Sequence, residues 1–130
     1  MQTYLLIGLG GALGSIARHW CNGAVAALMG VSFPWGTLII NVLGSMIIGF
    51  AAAAMRDGGF LPANDGTRLF LMVGFCGGYT TFSAFSLQTL TLLQGGQWLP
   101  AAGNIGLSVL LCIAGAWIGY MAGLALVPSG

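Results

Sequence analysis

Between Gly74 and Ser86 the chain reads Gly-Phe-Cys-Gly-Gly-Tyr-Thr-Thr-Phe-Ser-Ala-Phe-Ser, a run of paired glycines and hydroxyls set inside an apolar segment. Glycine and threonine both disfavour helix interiors, so a helix entering this run is expected to break there. In hydrocarbon the backbone groups freed by a break must find partners, and irregular backbone survives at membrane depth only inside protein or beside a wet cavity. That makes the run a candidate ion site. Hydroxyl and amide groups donate hydrogen bonds, and the electropositive rim of a phenylalanine ring can face a negative charge. With no acidic side chain inside any apolar stretch, a proton relay or a carboxylate trap for cations has no raw material. The chemistry on offer suits an anion, held loosely enough to be released.

The elements that must position these groups follow from composition. Of 130 residues, 58% are hydrophobic and 4% charged: Arg18, Arg56, Arg68, Asp57 and Asp65, with no lysine or glutamate. Apolar stretches run over about residues 4–29, 33–55, 69–93 and 99–127, each long enough for the roughly 20 residues a crossing needs. The expectation is an all-α membrane protein, one domain of four transmembrane helices with the third broken. The first stretch lacks a basic leader and continues past the length of a signal-peptide core, so it reads as a span. Cys21, Cys76 and Cys112 have no metal-ligand spacing and read as small packing residues. His19 reads as an interfacial side chain, and the near-zero net charge gives no reason to expect nucleic acid.

With four spans, Arg56 and Arg68 share one side of the membrane and Arg18 lies towards the other, a two-against-one bias. So small an asymmetry permits insertion both ways and an antiparallel, dual-topology homodimer with in-plane two-fold symmetry. A single orientation with the loop arginines inside is the alternative. Gly10 with Gly14, and Gly115 with Gly119 and Gly123, recur at the four-residue spacing that lets helices approach closely, either within one chain or between two.

Polar residues fall in stripes. Thr37, Asn41 and Ser45 share one helix face, as do Asn104, Ser108 and Cys112. Beyond the expected break, Phe82 and Phe85 share a face beside Ser83 and Ser86. A mid-span asparagine either bonds a neighbouring helix or faces a wet path, because its unsatisfied amide is costly in hydrocarbon. Each stripe alone also reads as interhelical bonding.

Gly77-Gly78-Tyr79-Thr80-Thr81-Phe82-Ser83-Ala84-Phe85-Ser86 resembles the third-helix signature of the Fluc (CrcB) fluoride channels. Pro34-Trp35-Gly36-Thr37-Leu38-Ile39-Ile40-Asn41 resembles the start of their second helix, and Gly10-Gly11-Ala12-Leu13-Gly14 with Arg18 their first. The resemblance implies a fluoride-selective channel of the bacterial inner membrane, an antiparallel dual-topology homodimer that exports fluoride passively through two pores. It also implies a structural Na⁺ at the dimer centre, held by the backbone carbonyls of Gly77 and Thr80 from each subunit. By motif position, Phe82 and Phe85 would line the pore with Asn41. Ser83, Ser86 and Ser108, with Cys112, would supply a polar track, Asn104 would join the pore, and Arg18 would add positive potential or fix helix packing. Two positions depart from the family pattern. Ala84 stands where many members carry threonine or serine, and Gln88 where many carry glutamate; both bear on conduction rate rather than on fold or ion.

Other classes fit less well. A small dual-topology multidrug exporter needs a membrane-embedded carboxylate, and none is present. A membrane scaffold subunit is open to any small apolar chain. An enzyme is not expected, for want of a Gly-x-Ser-x-Gly sequence, a metal-ligand cluster or an embedded acid.

Overall fold

The computed structural model describes residues 1–128, and in them the chain is helical with no strand. Helix α1 spans Gln2–Met29 and α2 spans Trp35–Ala54. A short turn, α3 (Asp65–Arg68), runs directly into a π-helix over Leu69–Cys76 and then into α4 (Gly77–Tyr79), making one helical rod. Helix α5 (Phe82–Gln94) follows, and α6 spans Trp98–Leu126.

Local chemistry explains the ends. Asn64 caps the rod, its side chain accepting from the Thr67 backbone N–H at 2.8 Å, while Asp65 sits in the first turn, where the helix dipole favours a negative charge. Helix α5 closes through Gly96 at φ 72°. The N–H of Gly96 bonds the Leu93 carbonyl and that of Gln97 the Leu92 carbonyl, the paired bonds of a glycine-terminated helix.

Three segments are long and apolar enough to cross a membrane: Trp35–Ala54, Asp65–Gln94 and Trp98–Leu126. The chain is therefore a multi-pass membrane protein by composition and length. Helix α1 is the longest after α6, at 28 residues. Its second half carries Ser15, Arg18, His19 and Asn22, which dilute the apolar run.

Packing sorts the helices into two tight pairs, α2 with α6 and α1 with the rod. Glycines make both. A side chain at Gly10 would strike the Phe70 carbonyl, with the Phe75 amide nitrogen at 2.9 Å, and one at Gly14 would strike the Phe75 carbonyl, with the Tyr79 amide nitrogen at 2.8 Å. Across the other seam, Gly49 meets Ala116 backbone and Gly119 meets Met46 backbone, while a Cβ on Gly123 would lie 2.9 Å from the Phe50 carbonyl. The small-residue faces of α1 and α6 are thus covered within the chain. Close approach substitutes dispersion contact for the hydrophobic drive that lipid removes.

Candidate functional site

The rod ends at Tyr79, and Thr80 (φ −86°, ψ 160°) and Thr81 (φ −153°, ψ 111°) are extended before α5 begins. Two side chains take over the backbone bonds that a continuous helix would have made. The Thr81 N–H, which would have bonded the Gly77 carbonyl four residues back, donates instead to Asn41 Oδ1 at 2.8 Å. The Ala84 N–H, which would have bonded the Thr80 carbonyl, donates to Thr81 Oγ1 at 3.1 Å. Asn41 also donates from Nδ2 to the Thr81 carbonyl at 3.0 Å, so one amide clamps both polar groups of a single residue. The mid-span asparagine therefore satisfies irregular backbone on a neighbouring element, and does so while lining a cavity.

The carbonyls of Gly77 and Thr80 are thereby released from the helical ladder. Arg18 reaches the second of them, Nη1 standing 3.5 Å from the Thr80 oxygen, at the long edge of hydrogen bonding. One turn earlier on α1, Ser15 Oγ stands 3.5 Å from the Gly78 carbonyl. Thr80 turns its hydroxyl back to the Cys76 carbonyl at 2.8 Å. A Cβ placed on Gly77 would meet nothing within 4 Å, so this turn is open on its outer face.

A cavity lies on each side of the Thr80–Thr81 link, and Thr81 borders both. The first, of about 480 Å³, is lined by Asn41, Ser45, Gly77, Thr80, Phe82, Phe85, Ser108 and Cys112 among others. The Phe82 and Phe85 rings are tilted at 47° with centroids 5.3 Å apart, and Phe82 is 78% exposed. Apart from Phe85, its own chain leaves most of this large ring open. The second cavity, of about 500 Å³, is the more polar, lined by Ser15, Arg18, His19, Asn22, Thr37, Ser83, Ala84 and Gln88 with neighbouring apolar groups.

The structure therefore divides the residues singled out from sequence. Asn41, Gly77, Thr80, Phe82, Phe85 and Ser108 meet at the first cavity, and Arg18 and Ser83 at the second. Ser83 lies 3.3 Å from Thr81, hydroxyl to hydroxyl. Ser86 borders neither cavity and donates to the Phe82 carbonyl of its own helix at 2.9 Å. Asn104 is 1% exposed and donates to Thr89 Oγ1 at 2.9 Å, with Ser108 Oγ 3.5 Å from its Oδ1, so it ties α6 to α5 behind the first cavity. Sequence reasoning passed over His19 and Asn22 as cavity residues. Their signal was the spacing of Ser15, Arg18, His19 and Asn22, which is one helix face.

Comparison with known proteins gives the family. Residues 5–120 match the family described as CrcB-like protein, Camphor Resistance (CrcB). The chain is 55% identical over 131 residues to a protein of Rhodospirillum rubrum named fluoride-specific ion channel FluC, covering 99% of each chain. Proteins of the same name from Methylocella silvestris and Opitutus terrae are 48% and 49% identical, with 96% and 97% of this chain covered and 95% and 96% of theirs. Two extended residues between helices, closed by an asparagine from another helix and flanked by a phenylalanine pair, sit in a chain that belongs to the CrcB family.

Proposed function

We propose that this protein is a fluoride channel and no enzyme, passing the ion down its gradient and so lowering cytoplasmic fluoride in the bacterial inner membrane. The observation that carries the reading is the convergence of Asn41, Phe82, Phe85 and Ser108 on one cavity beside a backbone break, in a chain whose relatives bear the name fluoride-specific ion channel. Fluoride is small and strongly hydrated, so several close donors must replace its water. The Asn41 amide, the Ser108 hydroxyl and the edges of the two rings supply them without a fixed positive charge to trap the ion. Ser83 at the second cavity, with Asn104 behind Ser108 and Cys112 beside it at the first, extends the polar track; Ser86, its hydroxyl bonded to the Phe82 carbonyl, stands outside it. Arg18 supplies positive potential at the approach.

In this reading α1 crosses the bilayer with the three more apolar segments, and Asp65–Gln94 is one crossing interrupted at Thr80–Thr81. Two such chains pair antiparallel, each covering the other's open cavities and completing two pores. The exposure of Phe82 and the open face at Gly77 support a second copy at this surface. The carbonyls of Gly77 and Thr80, diverted from the helical ladder, fit an all-oxygen site for a hard cation, and with those of a second chain they would hold a structural Na⁺. When bound, such an ion would supply positive charge beside the break.

The test is fluoride efflux from liposomes containing the purified protein, read by a fluoride electrode beside a chloride electrode. Fast fluoride release with chloride retained is expected. Equal release of both ions, or release of neither, overturns the reading.

A further inference from the structure

We propose that Asn104 is a positioning residue for the conducted anion: it draws the Ser108 proton away from the helix backbone and so keeps that hydroxyl available as a donor at the first cavity. The role rests on the channel reading and assigns a task to a buried side chain that no ion touches.

Helical serines and threonines can return their proton to the carbonyl one turn back. Ser45, Ser86, Thr89 and Thr91 do so here, at 2.7, 2.9, 2.8 and 2.9 Å. Ser108 does not. Among the described residues its Oγ has one partner, the side-chain oxygen Oδ1 of Asn104, at 3.5 Å and so at the long edge of hydrogen bonding. The contrast matters at the first cavity, which Ser45 and Ser108 both border. Ser45 has its proton in a short backbone bond, and Thr80 likewise donates to the Cys76 carbonyl at 2.8 Å. The Ser108 proton is the loosely held one.

A relay running away from the cavity aims the Asn104 amide. Thr89 gives its only hydroxyl proton to the Phe85 carbonyl, so its oxygen accepts, and Asn104 Nδ2 donates to it at 2.9 Å. With Nδ2 turned to Thr89, Oδ1 of the same amide faces Ser108. Asn104 is 1% exposed, enclosed by its own chain, so a second copy laid over the cavity leaves the relay intact.

An anion arriving at Ser108 has only a long, neutral bond to displace. Hydrogen bonds to a charged acceptor are roughly twice as strong as neutral ones, so the hydroxyl turns to the ion. Without Oδ1, Ser108 would settle into the short backbone bond that Ser45 makes, and the ion would have to break that bond first. The expected penalty is about threefold in fluoride affinity, equivalent to about 0.6 kcal/mol, within the net worth of one neutral hydrogen bond.

The experiment is fluoride current through the full-length protein in planar bilayers, measured from low to saturating fluoride for the wild type, Asn104→Ala, Ser108→Ala and the double variant. Asn104→Leu, which fills the space that alanine would leave, is the second form of the same substitution. Half-saturating fluoride is expected to rise about threefold in each single variant. In the double variant it should rise no further, because Asn104 acts through Ser108. Unchanged half-saturation in the Asn104 variants, shifts that multiply in the double variant, a wild-type current that never saturates, or failure of both Asn104 variants to fold each overturns the positioning role and leaves the channel reading standing. Absence of fluoride current in the wild type overturns the channel reading itself.

Discussion

The glycine seams and the Thr80–Thr81 link solve the same problem in opposite ways. Both must satisfy polar backbone inside an apolar chain. Along α1 and the rod, and along α2 and α6, every helix keeps its own hydrogen bonds, and the glycines only bring intact cylinders together. At the link the ladder is given up over two residues, and Asn41 and Thr81 replace the missing partners with side-chain atoms. The seams leave no room; the link is bordered by two cavities. Dense packing fixes the frame, so that a less regular segment can present carbonyls and donors instead of spending them on itself.

Substitutions should separate the two regions. The largest effect is expected at a seam. Gly14→Leu would drive a side chain into the Phe75 carbonyl and the Tyr79 amide, both backbone atoms that cannot swing aside. A loss of about 3 kcal/mol or more is expected, seen as a collapse in the yield of folded protein on size-exclusion chromatography in detergent. Full yield would show that the seam yields like a loose interface, and the contrast with the link would fail.

Asn41→Leu comes next. It keeps similar bulk but leaves both polar groups of Thr81 without their partner, at a cost of about 2–4 kcal/mol. A lowered thermal midpoint together with a fall in fluoride efflux of about tenfold or more is expected, equivalent to about 1.4 kcal/mol on the barrier. A lowered midpoint with normal efflux would make Asn41 a structural clamp alone.

Phe82→Ile should behave in reverse. With its ring 78% exposed, the substitution is expected to change the stability of the chain by about 0.5 kcal/mol or less, yet to cut efflux. Phe85→Ile should cut efflux in the same way. Unchanged efflux in both would mean that the rings merely pack.

Asn104→Ala removes the donor to Thr89 and should cost about 1–2 kcal/mol by thermal unfolding. Its fall in efflux should be smaller than that of Phe82→Ile, because Asn104 lies behind the cavity wall. The smallest effect belongs to Ala84→Ser, which adds one hydroxyl at the second cavity beside Ser83. A rise in efflux of about twofold or less is expected, corresponding to about 0.4 kcal/mol; a decrease would show that the added hydroxyl binds the ion too well or blocks its path.

The link itself was legible because its signal is local: glycine and β-branched residues fail together as helix formers within a few positions. How the break is satisfied was not legible in the same way. Asn41 and Thr81 are forty positions apart, and nothing in either neighbourhood says which of several polar groups an asparagine will choose. The same limit applied to the glycines. Their spacing announces a close contact and is silent about its partner, which proved to be backbone of the same chain. Ser86 illustrates a third case, since a helical serine can bond its own preceding turn, and here it does.

By itself, then, the sequence determined that the chain is apolar helix built for a membrane, where its third long segment fails, and which family it belongs to. Those follow from side-chain hydropathy, backbone propensity and motif, all of them properties of neighbouring residues. Tertiary structure alone decided that Asn41 replaces the missing helical bonds, that Phe82 and Ser83, adjacent in sequence, border different cavities, and that Arg18 and His19 border the same one. Those depend on which helices lie side by side, and in lipid that choice rests on close packing between surfaces of similar apolarity, which composition does not distinguish.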